Sequence, residues 1–213
     1  MFQLKNIRYK DVLDIEKLDL PGGEITGLVG ESGSGKTTLL KLLNRMITPD
    51  AGDILYKGES ILDLSPLQLR REAVMLTQNP VIFPGTLRDN LQLGRRFSEK
   101  TEETEAKLLE SLARVKLEKS LDDGLLSYSG GEKQRVALAR ILLMEPEVIL
   151  ADEPTSALDK DTERKVIEGL LDYVRQEKKT LIIVSHSPEV VGMLGGRIIE
   201  LEHGRIKRER EMN

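Results

Sequence analysis

The stretch Gly30-Glu31-Ser32-Gly33-Ser34-Gly35-Lys36-Thr37 decides which class of fold this sequence can adopt. It fits the phosphate-loop pattern of one glycine, four residues and then Gly-Lys-Thr. The glycines let backbone N–H groups turn towards a polyanion, and a helix that begins near Gly35 directs its positive end at the phosphates. We therefore expect Lys36 to reach the β- and γ-phosphates and the Thr37 hydroxyl to bind Mg²⁺.

The sequence on either side of this loop supports the match. The short apolar run Glu24–Val29 predicts a strand, and the apolar residues of Thr37–Met46 recur at helical spacing. A phosphate loop joins a strand to a helix, so both neighbours are of the expected type. The alternative is an ordinary glycine-rich turn with an exposed lysine.

The second half of the site follows another apolar strand, Val148–Ala151, which ends in Asp152 and Glu153. A parallel sheet presents ligands at the carboxyl edge of its strands. We expect Asp152 to hold Mg²⁺ through water and Glu153 to polarise the attacking water as a general base. Alone, this sequence is equally compatible with a loop start or a helix cap. With the phosphate loop it indicates a nucleotide hydrolase or a kinase, and both remain open at this point.

Hydrophobic periodicity predicts the other elements of an α/β fold. Phe2–Tyr9 and Val12–Leu20 alternate as antiparallel strands do, and Val74–Thr77 and Leu181–Val184 are apolar strands. The predicted helices are Glu102–Val115, Gly131–Met144 and Thr162–Arg175, and a closing hairpin joins Arg197–Leu201 to Arg205–Lys207 around His203-Gly204.

Size and composition exclude several classes of protein. A chain of 213 residues suits one α/β domain. The 32 Lys and Arg against 36 Asp and Glu give a net charge of -4, so no basic face for nucleic acid is expected. No cysteine is available for disulfides. No apolar run approaches the ~20 residues that span a bilayer. We expect a cytoplasmic protein whose membrane role comes through a partner.

The segment Tyr128–Arg135 resembles the signature of the ABC family, usually written Leu-Ser-Gly-Gly-Gln. Other landmarks of the family follow in the right order. Ser156–Asp159 resembles its dimer-contact loop, His186 its switch histidine and Gln78 its lid glutamine. Tyr9 lies where the family places an aromatic ring against adenine. The resemblance covers essentially the whole chain.

This resemblance implies a fold and a set of functional residues. The fold is an α/β phosphate-loop NTPase, and residues 1–213 form a single domain. It has a central, mostly parallel sheet and an N-terminal antiparallel β subdomain. A small helical subdomain, about 86–145, carries the signature. The residues implied to bind ATP are Tyr9, Gly30, Glu31, Ser32, Gly33, Ser34, Gly35, Lys36, Thr37, Thr38, Ser129, Gly130, Gly131 and Glu132. Those implied to bind Mg²⁺ are Thr37, Gln78 and Asp152, and the catalytic set is Glu153, His186, Lys36 and Gln78.

The sequence also departs from the family pattern. Tyr128 stands where leucine is usual, and Glu132 stands where glutamine is usual, although the glutamate form is common. The switch region reads Ser185-His186-Ser187 rather than Thr-His-Asp, which puts a local carboxylate contact in question. We expect His203 and the charged tail Lys207–Glu211 to be solvent-exposed and without a role.

The resemblance implies a homodimer that forms on ATP binding, because each ATP meets the phosphate loop of one chain and the signature of the other. It further implies a separate transmembrane permease that holds the dimer at the cytoplasmic face of the cell membrane. The segment Phe83–Asn90 resembles exporters, including stand-alone ATPases of metal or iron exporters, although the Gly-Glu-Arg-Gly-like stretch of exporters is absent. A soluble ABC ATPase of iron-sulfur cluster assembly and a phosphate-loop kinase remain alternatives.

Overall fold

Two β-sheets organise the chain in the computed structural model, which describes residues 1–212. The strands are β1 (Phe2–Tyr9), β2 (Leu13–Leu20), β3 (Ile25–Val29), β4 (Ala51–Tyr56), β5 (Glu59–Ser60), β6 (Ala73–Leu76), β7 (Val148–Asp152), β8 (Thr180–Val184), β9 (Gly196–Glu202) and β10 (Arg205–Met212). The helices are α1 (Lys36–Leu43), α2 (Pro66–Glu72), α3 (Leu87–Phe97), α4 (Glu105–Arg114), α5 (Gly130–Met144), α6 (Lys160–Gln176) and α7 (Pro188–Met193), with a 3-10 turn at Leu125–Ser127.

The larger sheet has six strands in the order β10-β9-β3-β8-β7-β6, and the smaller sheet is antiparallel in the order β2-β1-β4-β5. In the larger sheet β9, β3, β8, β7 and β6 are parallel, and only β10 runs antiparallel to its neighbour. The register pairs Leu28 with Val184, and Val184 with Asp152. The carboxyl ends of β3, β8 and β7 therefore lie side by side. This arrangement confirms the predicted fold class.

The central strands are buried on both faces, as their unbroken apolar runs predicted. In β7, Val148 and Leu150 pack with α1 and the antiparallel sheet. Ile149 and Ala151 point the other way, into a cluster that also contains residues of α3, α4, α5 and α6. Helix α1 thus fills the space between the two sheets, and the phosphate loop at its beginning is anchored from both sides.

Helices α3 and α4 both pack against α5, and all three fall within the predicted helical subdomain. Thr86 and Ser129 begin α3 and α5 with capping boxes, in which each N-cap exchanges hydrogen bonds with the third helical residue. The domain boundaries themselves remain a prediction, and Asn213, at the end of the predicted domain, lies outside the described residues.

The predicted element bounds are correct to within a few residues except at the tail. We expected a solvated end over Lys207–Glu211, but β10 continues to Met212 and stays paired with β9. The side chains are mostly solvent-exposed, as expected. They hold the pairing through charge, since Lys207 lies 2.8 Å from Glu202, and Arg197 contacts Glu209. Alternating charges of both signs look like a disordered end in sequence, but cross-strand pairs of this kind stabilise a ladder.

Gly169 in α6 tests how tightly the helices pack. A Cβ there would lie 2.2 Å from the backbone oxygen of Arg114, at the end of α4. Alanine favours a helix over glycine by about 1 kcal/mol, but overpacking costs about 1–3 kcal/mol. We predict that Gly169→Ala lowers the thermal midpoint by roughly 2–6 °C. Gly192→Ala in α7, where a Cβ meets nothing within 4 Å, is the control and should be neutral or stabilising. Equal behaviour of the two variants would contradict the close approach.

Candidate functional site

The phosphate loop connects β3 to α1 and is pressed against the β9–β10 hairpin. Gly30 has a φ of 143°, and a Cβ at this position would lie 2.1 Å from the backbone oxygen of Leu201. On the other side of the loop, the Gly204 N–H donates to the Ser34 carbonyl at 3.2 Å. Only glycine fits at Gly30, because any side chain would clash with β9. The β9–β10 hairpin therefore holds the phosphate loop in its curved conformation.

Lys36 occupies the concave face of this loop. Its Nζ donates to the carbonyls of Gly30 and Glu31 at 2.9 and 2.7 Å, and to Ser34 Oγ at 3.2 Å. Burial lowers the pKa of the Lys36 ammonium, while the charges of Glu153 and Asp152 oppose that shift. A phosphate group would offset the cost of burying this cation, so the residue fits the anion-binding role predicted for it.

Thr37 and Asp152 meet across the end of the sheet. The Thr37 hydroxyl donates to Asp152 Oδ1 at 3.1 Å. Burial raises the pKa of the Asp152 carboxyl, although the bond from Thr37 lowers it. A buried carboxylate beside a hydroxyl is a hard-oxygen donor set that suits Mg²⁺, which keeps waters and substrate phosphates as its other ligands. No cluster of three or more acidic or histidine ligands is found within residues 1–212.

The predicted catalytic residues converge on the Glu153 carboxylate. Gln78 Nε2, from the segment after β6, donates to Glu153 Oε2 at 2.9 Å. His186 Nε2, from the segment after β8, lies 3.2 Å from Glu153 Oε1. Glu153 itself adopts a φ of 48°, an uncommon conformation for a residue with a side chain. This turn directs its carboxylate to the place where the three strands end.

Gln134 is a residue of this region whose role the sequence reasoning missed. It is 1% exposed, and its Nε2 donates to the Glu153 carbonyl at 2.9 Å. Its Oε1 accepts from the Ala157 N–H at 3.2 Å. The sequence does give one indication of this role. Gln134 lies seven residues, about two helical turns, before Ile141 and so shares the apolar face of α5. A glutamine in such a buried stripe needs polar partners.

The signature residues form the N-terminus of α5. Ser129 Oγ accepts from the Glu132 N–H at 3.2 Å, and the Ser129 N–H donates to Glu132 Oε2 at 2.8 Å. This backbone bond, together with Lys119 at 2.9 Å, lowers the pKa of Glu132 to about 2. The Glu132 carboxylate is thus used within the cap. The Ser129 hydroxyl proton is not used there and can donate to an anion.

Tyr128 keeps the burial of the usual leucine and adds a polar contact. Its ring is buried, and its hydroxyl donates to Asp123 Oδ2 at 3.3 Å. Burial, together with the negative charge of Asp123, raises the pKa of Tyr128 to about 12. Lys119 Nζ lies 5.0 Å from the ring centroid. Tyr128, which departs from the family pattern, therefore connects the residue before Ser129 to the segment that precedes α5.

Glu163 supplies a carboxylate beside the switch region. Ser187 Oγ donates to Glu163 Oε2 at 3.1 Å, and Thr155 Oγ1 donates to Glu163 Oε1 at 2.8 Å. Ser187 stands where the family often has aspartate. In this structure the carboxylate beside the switch region is that of Glu163, in the first turn of α6.

Tyr9 ends β1 next to the phosphate loop. A Cβ at Gly35 would lie 2.5 Å from Leu13 Cδ2, so the β1–β2 turn touches the beginning of α1. Lys10 Nζ lies 5.2 Å from the centroid of the Tyr9 ring. The position fits the predicted adenine contact, which remains a prediction, as does the role of Thr38 in α1.

The structure brings the predicted residues together in two groups. One contains the phosphate loop with Asp152, and the other contains Glu153 with Gln78 and His186. Ser129 joins neither group: within the part of the chain that the structure describes, no hydrogen bond connects it to the phosphate loop. The Gln78 amide nitrogen is bound to Glu153 rather than to the predicted Mg²⁺ site, so its amide oxygen is the atom that would bind the cation.

Comparisons with known proteins identify the family of this chain. The family model for the ABC transporter matches residues 13–156. Protein STAR1 of Oryza sativa subsp. japonica is 38% identical, over 93% of this chain and 58% of that protein. The methionine import ATP-binding protein MetN of Clostridioides difficile is 34% identical, over 97% of this chain and 67% of that protein. The ATP-dependent lipid A-core flippase of Ralstonia nicotianae is 36% identical, over 91% of this chain and 34% of that protein.

A solved dimeric structure of the ATP-binding cassette MJ0796, in a post-hydrolysis state bound to ADP and Pi, superposes with a TM-score of 0.90 and 30% identity, covering 100% of this chain and 99% of that one. The chain belongs to the ABC transporter family, and within it is an ABC-type ATPase domain. It spans 58% of the rice protein's length. No helix in residues 1–212 combines the length and apolar character needed to cross a membrane.

The burial of the Asp152 carboxylate can be tested without measuring activity. Folding raises the pKa of its carboxyl, so the ionised form destabilises the folded chain at neutral pH. We predict that Asp152→Asn raises the thermal midpoint at pH 7–8 without nucleotide, and that the gain disappears below about pH 3, where the acid is protonated in both states. The exposed Asp11→Asn is the control and should change little. A less stable Asp152→Asn chain at pH 8 would contradict the burial cost.

Proposed function

We propose that this chain binds and hydrolyses Mg-ATP as a homodimer and so powers a separate membrane transporter. The observation that carries the proposal is the Glu153 carboxylate, held by Gln78 and His186 at the strand end beside Lys36 and Thr37. Nucleotide hydrolysis requires a base, a positive side chain that binds phosphate and oxygen ligands for Mg²⁺. Glu153, Lys36 and the Thr37–Asp152 pair are groups of these three kinds, and they lie at one edge of the sheet.

The residues divide the reaction between them. Lys36 and the loop N–H groups bind the phosphates. Thr37 and Asp152 would hold the cation, whose positive charge would stabilise the negative charge of the phosphate oxygens. Glu153 accepts the proton of the attacking water. Gln78 donates to one oxygen of this carboxylate, and His186 Nε2 lies 3.2 Å from the other. Both contacts restrict its orientation, and each oxygen has a further lone pair for the water.

A second copy of the chain supplies the signature. The Ser129 hydroxyl and the N-terminus of α5 form an anion site that makes no hydrogen bond to this chain's phosphate loop. Each nucleotide then lies between the loop of one copy and the signature of the other, and the triphosphate is part of the interface. The dimer solved for the MJ0796 cassette supports this arrangement.

Export is the proposed direction, although relatives named as an importer and as a flippase both match. The support is the Phe83–Asn90 segment, whose exporter-like pattern has a structural reason. The buried Asn90 donates to the carbonyls of Phe83 and Thr86 at 2.9 and 3.1 Å and accepts from the Phe83 N–H at 2.9 Å. The asparagine therefore fixes this turn. The proposed location is the cytoplasmic face of the membrane, held there by the permease.

The variant Glu153→Gln tests the proposed hydrolysis. It should bind ATP normally and hydrolyse it about 10²–10⁴-fold more slowly, because the amide keeps the size of the side chain but cannot accept a proton. The closed state then accumulates, so light scattering with Mg-ATP should show a dimer while the parent returns to monomer. Turnover at the parental rate would exclude Glu153 as the base.

Two further variants control this experiment. Lys36→Ala should bind ATP poorly and remain monomeric, since it removes the charged phosphate contact. Ser129→Arg, added to Glu153→Gln, should abolish the trapped dimer, because a bulky side chain blocks the signature from the γ-phosphate. A double variant that still dimerises would show that the signature does not meet nucleotide in the second copy.

Affinity capture of the Glu153→Gln chain with Mg-ATP from detergent-solubilised cells identifies the partner. A membrane-spanning protein supports the transporter role, and reconstitution of that pair in vesicles gives the direction. A soluble scaffold that binds iron-sulfur clusters would replace this role with cluster assembly. Phosphate transfer to an acceptor, with no ADP formed in its absence, would indicate a kinase.

A further inference from the structure

We propose that Gln134 is the positioning residue that fixes Glu153 relative to the signature helix α5. The inference rests on the proposed function, in which Glu153 is the base and Ser129 meets the nucleotide of the second copy. It assigns to one buried amide the mechanical connection between these two parts of the site.

The contacts of Gln134 reach several functional segments at once. Its Nε2 donates to the Glu153 carbonyl at 2.9 Å and has longer contacts to Ser156 Oγ at 3.4 Å and the Gln78 carbonyl at 3.5 Å. Its Oε1 accepts from the Ala157 N–H at 3.2 Å. The segments after β6 and β7 are therefore both tied to α5 through this one side chain.

Because of its position in α5, Gln134 moves together with the signature residue Ser129. It lies five residues after Ser129, about one and a half helical turns into a helix whose N-terminus is the signature. Over so short a distance a helix moves as a rigid body. Any displacement of Ser129 towards or away from a phosphate therefore displaces the Gln134 amide as well.

Glu153 is the residue most sensitive to such a displacement. Its φ of 48° is unfavourable for a side chain, so neighbouring contacts must hold it in place. The contacts to its backbone are the N–H bond to the Val184 carbonyl at 3.1 Å and the two bonds that its own carbonyl accepts, from the Ser156 N–H at 3.3 Å and from Gln134 Nε2 at 2.9 Å. The first comes from the sheet and the second from the same turn, whereas the third comes from α5. The backbone position from which the Glu153 side chain starts thus depends on where α5 lies.

The competing explanation is that Gln134 only satisfies polar groups in the core, and Gln92 provides a matched control for it. Gln92 is 4% exposed, lies in α3, and binds both backbone groups of Glu103, the carbonyl at 2.7 Å and the N–H at 3.0 Å. It is a buried glutamine with two good backbone bonds and no contact to the candidate site. Replacing either amide leaves comparable groups unpaired.

The experiment compares Gln134→Met and Gln92→Met in the full-length chain, measuring the thermal midpoint, the KM for ATP and kcat. Both variants should lose stability to a similar extent. Only Gln134→Met should lose kcat, by at least tenfold, with KM within about twofold of the parent, because the phosphate loop is untouched. Equal kcat values in the two variants, or a loss of Gln134→Met activity that appears only in KM, would overturn the positioning role.

A second variant, Gln134→Glu, separates the two ends of the amide. It keeps the acceptor for Ala157 but places an oxygen against the Glu153 carbonyl, so kcat should fall at least as far as in Gln134→Met. Parental kcat in this variant would overturn the inference, and so would loss of folding in both variants, which would assign Gln134 to stability. If the parent chain does not hydrolyse ATP, the proposed function itself is rejected. If the parent hydrolyses ATP and Glu153→Gln is slow, the proposed function stands and the Gln134 variants test only the role of Gln134.

Discussion

The site depends on the register of three parallel strands. Leu28 of β3 pairs with Val184 of β8, which pairs with Asp152 of β7, so the segments that follow these strands begin at one place. A shift of one residue would turn each side chain to the opposite face. Because both faces are packed with apolar residues, such a shift would bury or expose the wrong set along the whole strand. The distance between Thr37 and Asp152 is thus set by the hydrophobic packing of the strands and not by the two side chains themselves.

This arrangement has a cost that is concentrated in the site. The Lys36 cation and the Asp152 carboxylate are both partly desolvated, each with a pKa shifted towards the neutral form, and Glu153 has a strained backbone. A bound phosphate or divalent cation reduces these costs, whereas an unfolded chain does not bear them. Ligand binding and local stability are consequently linked, and the segment that gains most from nucleotide is the one that carries the chemistry.

Local patterns explain which features could be predicted from sequence. The phosphate loop, the acidic strand end and the signature each lie within eight or fewer consecutive residues, so residue type and neighbours were sufficient to predict roles for Lys36, Asp152 and Ser129. Gln134 and Glu163 contact partners 8 to 24 residues away in the chain, and these partners are backbone groups and hydroxyls, which leave no distinctive pattern in sequence. The extension of β10 was missed for a related reason, since its pairing rests on cross-strand charges.

These long-range contacts give the strand ends a common construction. The turn after β7 is held by Gln134 of α5 at the Glu153 carbonyl and by Glu163 of α6 at the Thr155 hydroxyl, and Glu163 also binds Ser187 after β8. Each brace is a side chain from a helix, and α5 and α6 lie on opposite sides of the segment in sequence. A movement of α5 therefore reaches the Glu153 backbone through a hydrogen bond rather than through the sheet, and a movement of α6 reaches the neighbouring Thr155 and Ser187 in the same way. In the proposed dimer, the phosphate-binding half of the site would stay constant while Glu153 responds to the contact that α5 makes with the nucleotide of the other chain.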